Sequence, residues 1–166
     1  CDFDSGAICG WTNQYAAGLD SDNWVLWRGA AVLQGSGMGP SADNSGAGGY
    51  LKAGDSGFLA AGTAVVDTVP IHVKPGDCSI TFHTHTFDSG GSLSLSLVLE
   101  LRDFVTDGLQ TTLWTSSFSS ADAWVQHTVE IPDVATDNDI VVRFVASKTS
   151  AADGVLGLDD VSFSGC

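Results

Sequence analysis

Twenty Asp and Glu residues stand against six Lys and Arg in this 166-residue chain, so carboxylates carry most of the chemistry its side chains offer. Asp2 and Asp4 lie at the start, Asp43 lies in a Gly-rich stretch, and Asp159-Asp160 lies near the end. If the final strand alternates, Asp159 shares a face with Val161 and Phe163 and points inward. A buried carboxylate must be paired or must hold a cation, because an unpaired one is costly to desolvate. Arg28, Lys52, Lys74, Arg102, Arg143 and Lys148 are the whole supply of basic partners. A hard cation with oxygen ligands is the alternative, Ca²⁺ or Na⁺, held by Asp4, Asp43 and Asp159 with backbone carbonyls completing the shell. Against it stand two plainer arrangements, in which Asp159 caps backbone N–H groups or pairs with Arg28. No EF-hand loop is present.

Other constellations are weaker. Two carboxylates suit a glycosidase only in a cleft among aromatics, and these sit beside the chain ends. His83 and His85 have the His-x-His spacing of a transition-metal chelate, yet no third ligand declares itself, and two polar residues on the solvent face of a strand explain the pattern. His127, on an apolar face, reads as a satisfied core histidine. No Gly-x-Ser-x-Gly elbow supports a nucleophilic serine. Gly35-Ser36-Gly37 lacks the Gly-Lys-Ser/Thr of a phosphate loop. The sequence therefore points to binding rather than catalysis. Trp27 and Tyr50 are the candidates for contact with a ligand or partner, although packing is the ordinary fate of a Trp.

A net charge of −14 opposes binding to a nucleic-acid backbone or docking on anionic lipid. No apolar run approaches the 18 or so residues needed for membrane insertion. Cys1, Cys9, Cys78 and Cys166 form no zinc pattern, so two disulfides and an oxidising, extracellular compartment are expected, with three pairings open. No signal peptide precedes Cys1, and a secreted protein would appear here as a mature or excised piece.

The elements positioning these residues are strands. Along 92–101, Leu93, Leu95, Leu97, Leu99 and Leu101 alternate with Ser and Glu. Cys78, Ile80 and Phe82 share a face in 78–87, and Val125, His127, Val129 and Ile131 share one in 123–131. Residues 140–146 are nearly continuous apolar, as in a central strand. Gly90-Gly91 predicts a hairpin between 78–87 and 92–101. Residues 29–49 read as a long ordered loop, and 115–123 as a polar connection. About ten short strands and no helix predict an all-β fold, a two-sheet antiparallel jelly-roll β-sandwich over residues 1–166.

The order of these features resembles the MAM domain family. Cys1-Asp2-Phe3-Asp4 with Cys9-Gly10-Trp11 is similar to its opening, with Asp4 where Glu is usual. Asp22-Asn23-Trp24 with Arg28, Gly39-Pro40 with Asp43-Asn44-Ser45 and Gly49-Tyr50, the strand from Cys78 to Phe82, Leu113-Trp114 with Trp124, and Gly157-Leu158-Asp159-Asp160-Val161 with Cys166 follow in the family's order. The resemblance implies a jelly roll with disulfides Cys1–Cys9 and Cys78–Cys166. It also implies a cation near the paired ends and a non-catalytic role in adhesion or assembly, secreted or at the cell surface. Partners would be other copies of the chain or neighbouring extracellular proteins. A carbohydrate-binding module of jelly-roll type, with a glycan as partner, is the alternative.

Overall fold

The computed structural model describes residues 1–14, 21–29, 40–53, 62–73, 76–88, 95–118, 121–133, 139–149 and 154–166. These residues form ten strands and no helix: β1 (Thr12–Asn13), β2 (Trp24–Arg28), β3 (Gly49–Ala53), β4 (Gly62–Asp67), β5 (Cys78–Asp88), β6 (Leu95–Asp103), β7 (Leu109–Ser117), β8 (Trp124–Ile131), β9 (Ile140–Lys148) and β10 (Gly154–Ser164). They make two five-stranded antiparallel sheets, ordered β1-β4-β9-β6-β7 and β2-β3-β10-β5-β8.

Period-two patterning explains how the sheets face each other. Leu95, Leu97, Leu99 and Leu101 of β6 are buried, and so are Ile80 and Phe82 of β5 and Val142 and Phe144 of β9. They meet in one core with Phe3, Trp11, Trp24, Leu156 and Leu158. Trp11 stacks on Phe144 at 5.6 Å, and Phe82 meets Phe144 and Trp114 edge-on at 5.6 and 5.5 Å. The apolar run 140–146 forms a central strand between β4 and β6, as its composition requires.

The disulfides are Cys1–Cys9 and Cys78–Cys166, the pairing that the family resemblance implies. The first staples the opening loop, which carries Phe3 into the core; the second ties the last residue to the start of β5. Cys1 and Val161 also exchange backbone hydrogen bonds, Val161 N–H donating to Cys1 O at 2.8 Å. The two ends of the chain meet as the sequence suggested.

Three details depart from expectation. The strands flanking Gly90-Gly91 are not a hairpin: β5 and β6 belong to different sheets, and the Gly pair lies outside the described residues. The alternation is real, but each strand finds its hydrogen-bond partners non-locally. Residues 92–94 and 30–39, in the expected β6 start and Gly-rich loop, also lie outside the described residues. The polar connection after Trp114 begins later than expected, because β7 continues to Ser117. Val125 shares parity with Val129 and Ile131 but is 44% exposed, since β8 is an edge strand.

Candidate functional site

The carboxylates of interest gather where the first residues, the 40–48 segment and β10 meet. Asp159 is fully buried. It does not, however, share the core face with Val161. Leu156 and Leu158 enter the core, and a register shift between Asp159 and Ser162 with Asp160 at φ 50° resets the alternation before Val161. Asp159 therefore lies on the face opposite Leu158, the one that carries Val155. Its Oδ2 accepts the Asn44 N–H at 2.8 Å and its Oδ1 accepts the Asp160 N–H at 2.8 Å. The capping arrangement is thus present, and Arg28 is engaged elsewhere, donating to Asp4 O at 2.6 Å.

Asp43 is next along the same segment and is also buried. Its Oδ2 accepts Ser45 Oγ–H at 2.5 Å, while its Oδ1 is buried with no hydrogen-bond partner. Asp4 comes in from the other side, its Oδ1 accepting the Gly49 N–H at 3.1 Å. Gly48 marks where the two carboxylates approach. A Cβ built there would fall 1.4 Å from Asp4 Oδ1 and 2.8 Å from Asp43 Oδ2, so no larger residue fits. Asn44 Nδ2 donates to Asp160 Oδ2 at 2.9 Å and closes the cluster. Asp4 and Asp43 are brought together, and Asp159 adjoins them through Asn44. Among the described residues no three His, Cys, Asp or Glu side chains form a ready-made metal group.

The environment pushes the two buried carboxyls apart. Burial raises Asp159 to about 7, with the negative charges of Asp160 and Asp43 adding to it against two backbone N–H bonds. Burial pushes Asp43 up as well, but hydrogen bonds from Ser45, Gly48 and Gly46 outweigh it and hold the group below the ordinary carboxylate range. A stability prediction follows from Asp159. Its folded form binds a proton more tightly than the unfolded chain, so between about pH 4 and 7 the folded state carries more protons and stability falls as pH rises. From an ordinary 3.8 to about 7, at roughly 1.4 kcal/mol per decade, the loss is on the order of 4 kcal/mol. Melting temperatures in excess chelator should drop between pH 4 and 8, and Asp159→Asn should flatten that slope; an unchanged slope in the variant would assign it to other groups.

The aromatic candidates behave differently from expectation. Tyr50 is fully buried and cannot serve as an exposed platform; its hydroxyl donates to Gly29 O at 3.2 Å. Trp27 is half-buried, with Lys52 Nζ 4.1 Å from its ring centroid. Together with Phe87, Val155 and Trp124 these residues make a second small apolar cluster on the outer face of the second sheet. His85 belongs there too. It is only 4% exposed, stands 5.4 Å from Trp124 and faces Asp122 at 3.5 Å, and burial pulls its pKa down despite that Asp122 charge. The solvent-facing reading of His83 and His85 fails because Trp124 and the segment that begins at Pro40 cover this face: Trp124 Nε1 donates to Ala42 O at 3.1 Å, and a Cβ on Gly157 would meet both Trp124 and Pro40. His127 is a satisfied histidine, 2.8 Å from Thr84 Oγ1.

A second polar centre, not singled out by any motif, forms around Arg143. Arg143 Nε and an NH₂ nitrogen bind Asp67 at 2.6 and 2.8 Å, and the same NH₂ reaches Asp107 Oδ1 at 2.9 Å. Arg143 is 3% exposed. The signal was there: an Arg inside the apolar run 140–146 has to find an acid.

Two disulfides, two facing antiparallel sheets and meeting chain ends define a disulfide-bonded β-sandwich module. The model of the MAM domain, meprin/A5/mu, matches residues 1–166, and the chain belongs to that family, whose domains are extracellular adhesion modules. Among solved structures it is similar to the K1 cleaved adhesin domain of Lys-gingipain from Porphyromonas gingivalis W83, at 16% identity and TM-score 0.66, over 100% of this chain and 96% of that one. It is also similar to a family 61 carbohydrate-binding module in complex with β-1,4-galactotriose, at 11% identity and TM-score 0.62 over 98% and 92%. A tandem family 22 carbohydrate-binding domain from Paenibacillus barcinonensis Xyn10C matches at 15% and 0.61 over 99% and 48%. At these identities the likeness is one of fold.

Proposed function

We propose that this chain is a non-catalytic extracellular adhesion module that docks on protein partners through its sheet edges, other copies of itself included. The observation that carries this reading is the pair of long edges on one flank. β7 and β8 end their respective sheets, and Trp114 of β7 lies 5.0 Å from His127 of β8. Edge strands are ordinarily protected by Lys, Pro, shortness or β-bulges; β7 has two register shifts against β6, and β8 pairs with β5 without one. These two are nine and eight residues long, contain no Lys, Arg or Pro, and carry one carboxylate, Glu130. Their outward backbone groups, unpaired by any strand among the described residues, favour strand addition by a partner.

The reading includes a structural cation, Ca²⁺ with Na⁺ as the alternative, at Asp4, Asp43 and Asp159. What supports it is the buried, unpartnered Oδ1 of Asp43, whose other oxygen, Oδ2, approaches Asp4 Oδ1 across Gly48. Asp159, both of whose oxygens already accept N–H groups, would contribute through a remaining lone pair. A bound cation supplies the positive charge that lets these carboxylates ionise together. It would fix the opening loop against β10.

Light scattering on the purified domain tests both parts. The expected result is a dimer or larger species in calcium that dissociates in excess chelator, and a monomer for Thr112→Lys/Gln126→Lys, which places a charge on each edge. A wild type that is monomeric and equally stable with and without calcium would rule out the edge reading and the cation together.

A further inference from the structure

On the outer face of the first sheet, away from the carboxylate cluster, lies a cleft of about 340 Å³. Its floor is polar and fixed. Arg143 is clamped by Asp67 and Asp107, and Gln14 Nε2 donates to Asp67 Oδ2 at 2.7 Å. Its walls are apolar and open: Phe104 is 53% exposed on one side, and Val69 is 41% exposed beside Pro70 on the other. The turn carrying Phe104 is itself held. Asp103 Oδ1 accepts the N–H groups of Val105 and Thr106 at 3.0 and 2.7 Å, and Asp107 N–H donates back to Asp103 O at 3.0 Å. Arg102 Nε binds Asp107 Oδ1 at 3.0 Å from the neighbouring position. A concave site with apolar walls and a few fixed polar groups is the usual form of a small-ligand pocket.

We propose that this cleft binds one neutral pyranose ring, as the terminal residue of a glycan. Three features select that ligand. The floor carboxylates are tied to Arg143, Gln14 and Arg102 yet keep further lone pairs, so what they can take up is a donor. A hydroxyl both donates and accepts, and neighbouring hydroxyls on a ring match planar groups held side by side. Asp67, Asp103 and Asp107 outnumber Arg143 in the lining, which disfavours uronates, sialates and phosphates. The half-exposed Phe104 ring offers a face for the C–H surface of a sugar, and an open aromatic beside preset polar groups has little ordering left to do on binding. This site is separate from the edge strands β7 and β8 and does not depend on their docking.

The test is a titration of the ¹⁵N-labelled domain with the methyl glycosides of glucose, galactose, mannose and xylose, and with glucuronate. At least one neutral glycoside should shift the resonances of Gln14, Phe104, Asp107 and Arg143, with a Kd on the order of 1 mM as befits a single ring. Phe104→Ala should weaken it at least about tenfold, and Phe104→Trp should retain it. Phe104 is exposed, so the melting temperature should stay within about 2 °C of wild type, which separates a lost contact from a lost fold. Absence of shifts with all four glycosides, equal binding of glucuronate, or unchanged affinity in Phe104→Ala would each overturn the proposal. If the domain associates through its edges while no glycoside binds, only the cleft assignment falls.

Discussion

Replacing Arg143 by Met is expected to destabilise the domain by about 3–5 kcal/mol, because it removes one partner of a buried ion pair and leaves the other charged. Asp67 is 7% exposed and accepts two bonds from the guanidinium, with Gln14 as its further donor. Without Arg143 the carboxylate must either stay ionised in a poorly solvated position or take up a proton. The melting temperature should fall by on the order of 10 °C for a chain of this size. The double variant Arg143→Met/Asp67→Leu discriminates the cause. If the loss reflects an orphaned charge, the second change restores most of the stability, since apolar pairs of similar volume often replace buried ion pairs without loss. A double variant no better than the single one would place the effect in packing instead. The paired register Asp67↔Arg143 across β4 and β9, with Glu100 opposite on β6, makes the row a cross-strand unit.

Removing the Cys78–Cys166 disulfide is expected to cost about 4–5 kcal/mol, and removing Cys1–Cys9 about 2–3 kcal/mol, from the loop entropy each restores to the unfolded chain. The difference comes from sequence separations of 88 and 8 residues. Cys78→Ala/Cys166→Ala and Cys1→Ala/Cys9→Ala, melted side by side under the same conditions, check the order. Cys78 is buried at the start of β5 and Cys166 packs against the core, so a small packing loss adds to the longer loop's effect. Equal losses, or the reverse order, would mean that native-state contacts rather than unfolded-state freedom set the contribution. The short loop has a separate local consequence. It holds Phe3 and Cys9, both non-glycine residues at positive φ, in the opening turn that delivers Asp4 to Gly49.

Much of this was legible in the chain, for reasons tied to particular residues. The alternation of Leu95 to Leu101 sets a strand with one buried face whatever its neighbours are, because side chains alternate across any strand. The apolar run 140–146 could only be a covered, central strand. The even cysteine count implied bridges, and the ordered motifs from Cys1 to Cys166 implied their pairing by family resemblance. Parity misplaced Asp159: it is buried, but on the outer face, because the shift at Asp160 breaks the alternation on which the inward expectation rested.

Residue order and composition thus specify the class: an all-β, disulfide-bonded, acidic module with carboxylates near its joined ends. Periodicity and composition are local properties, and they fix which residues are strand and which face is apolar. Where those faces go is a matter of long-range packing, which the folded molecule reveals. That packing put β5 and β6 in different sheets despite the Gly-Gly between them, because strand pairing is a choice among distant partners. It left Asp159 on the outer face, alternating with Leu158, and brought Val161 inward, because the positive φ of Asp160 between them shifts every later side chain by a step. It covered Tyr50 and His85, and it opened Phe104 beside Arg143. Exposure depends on what another segment lays over a residue, and that is set by the packing of the whole chain rather than by any stretch of it.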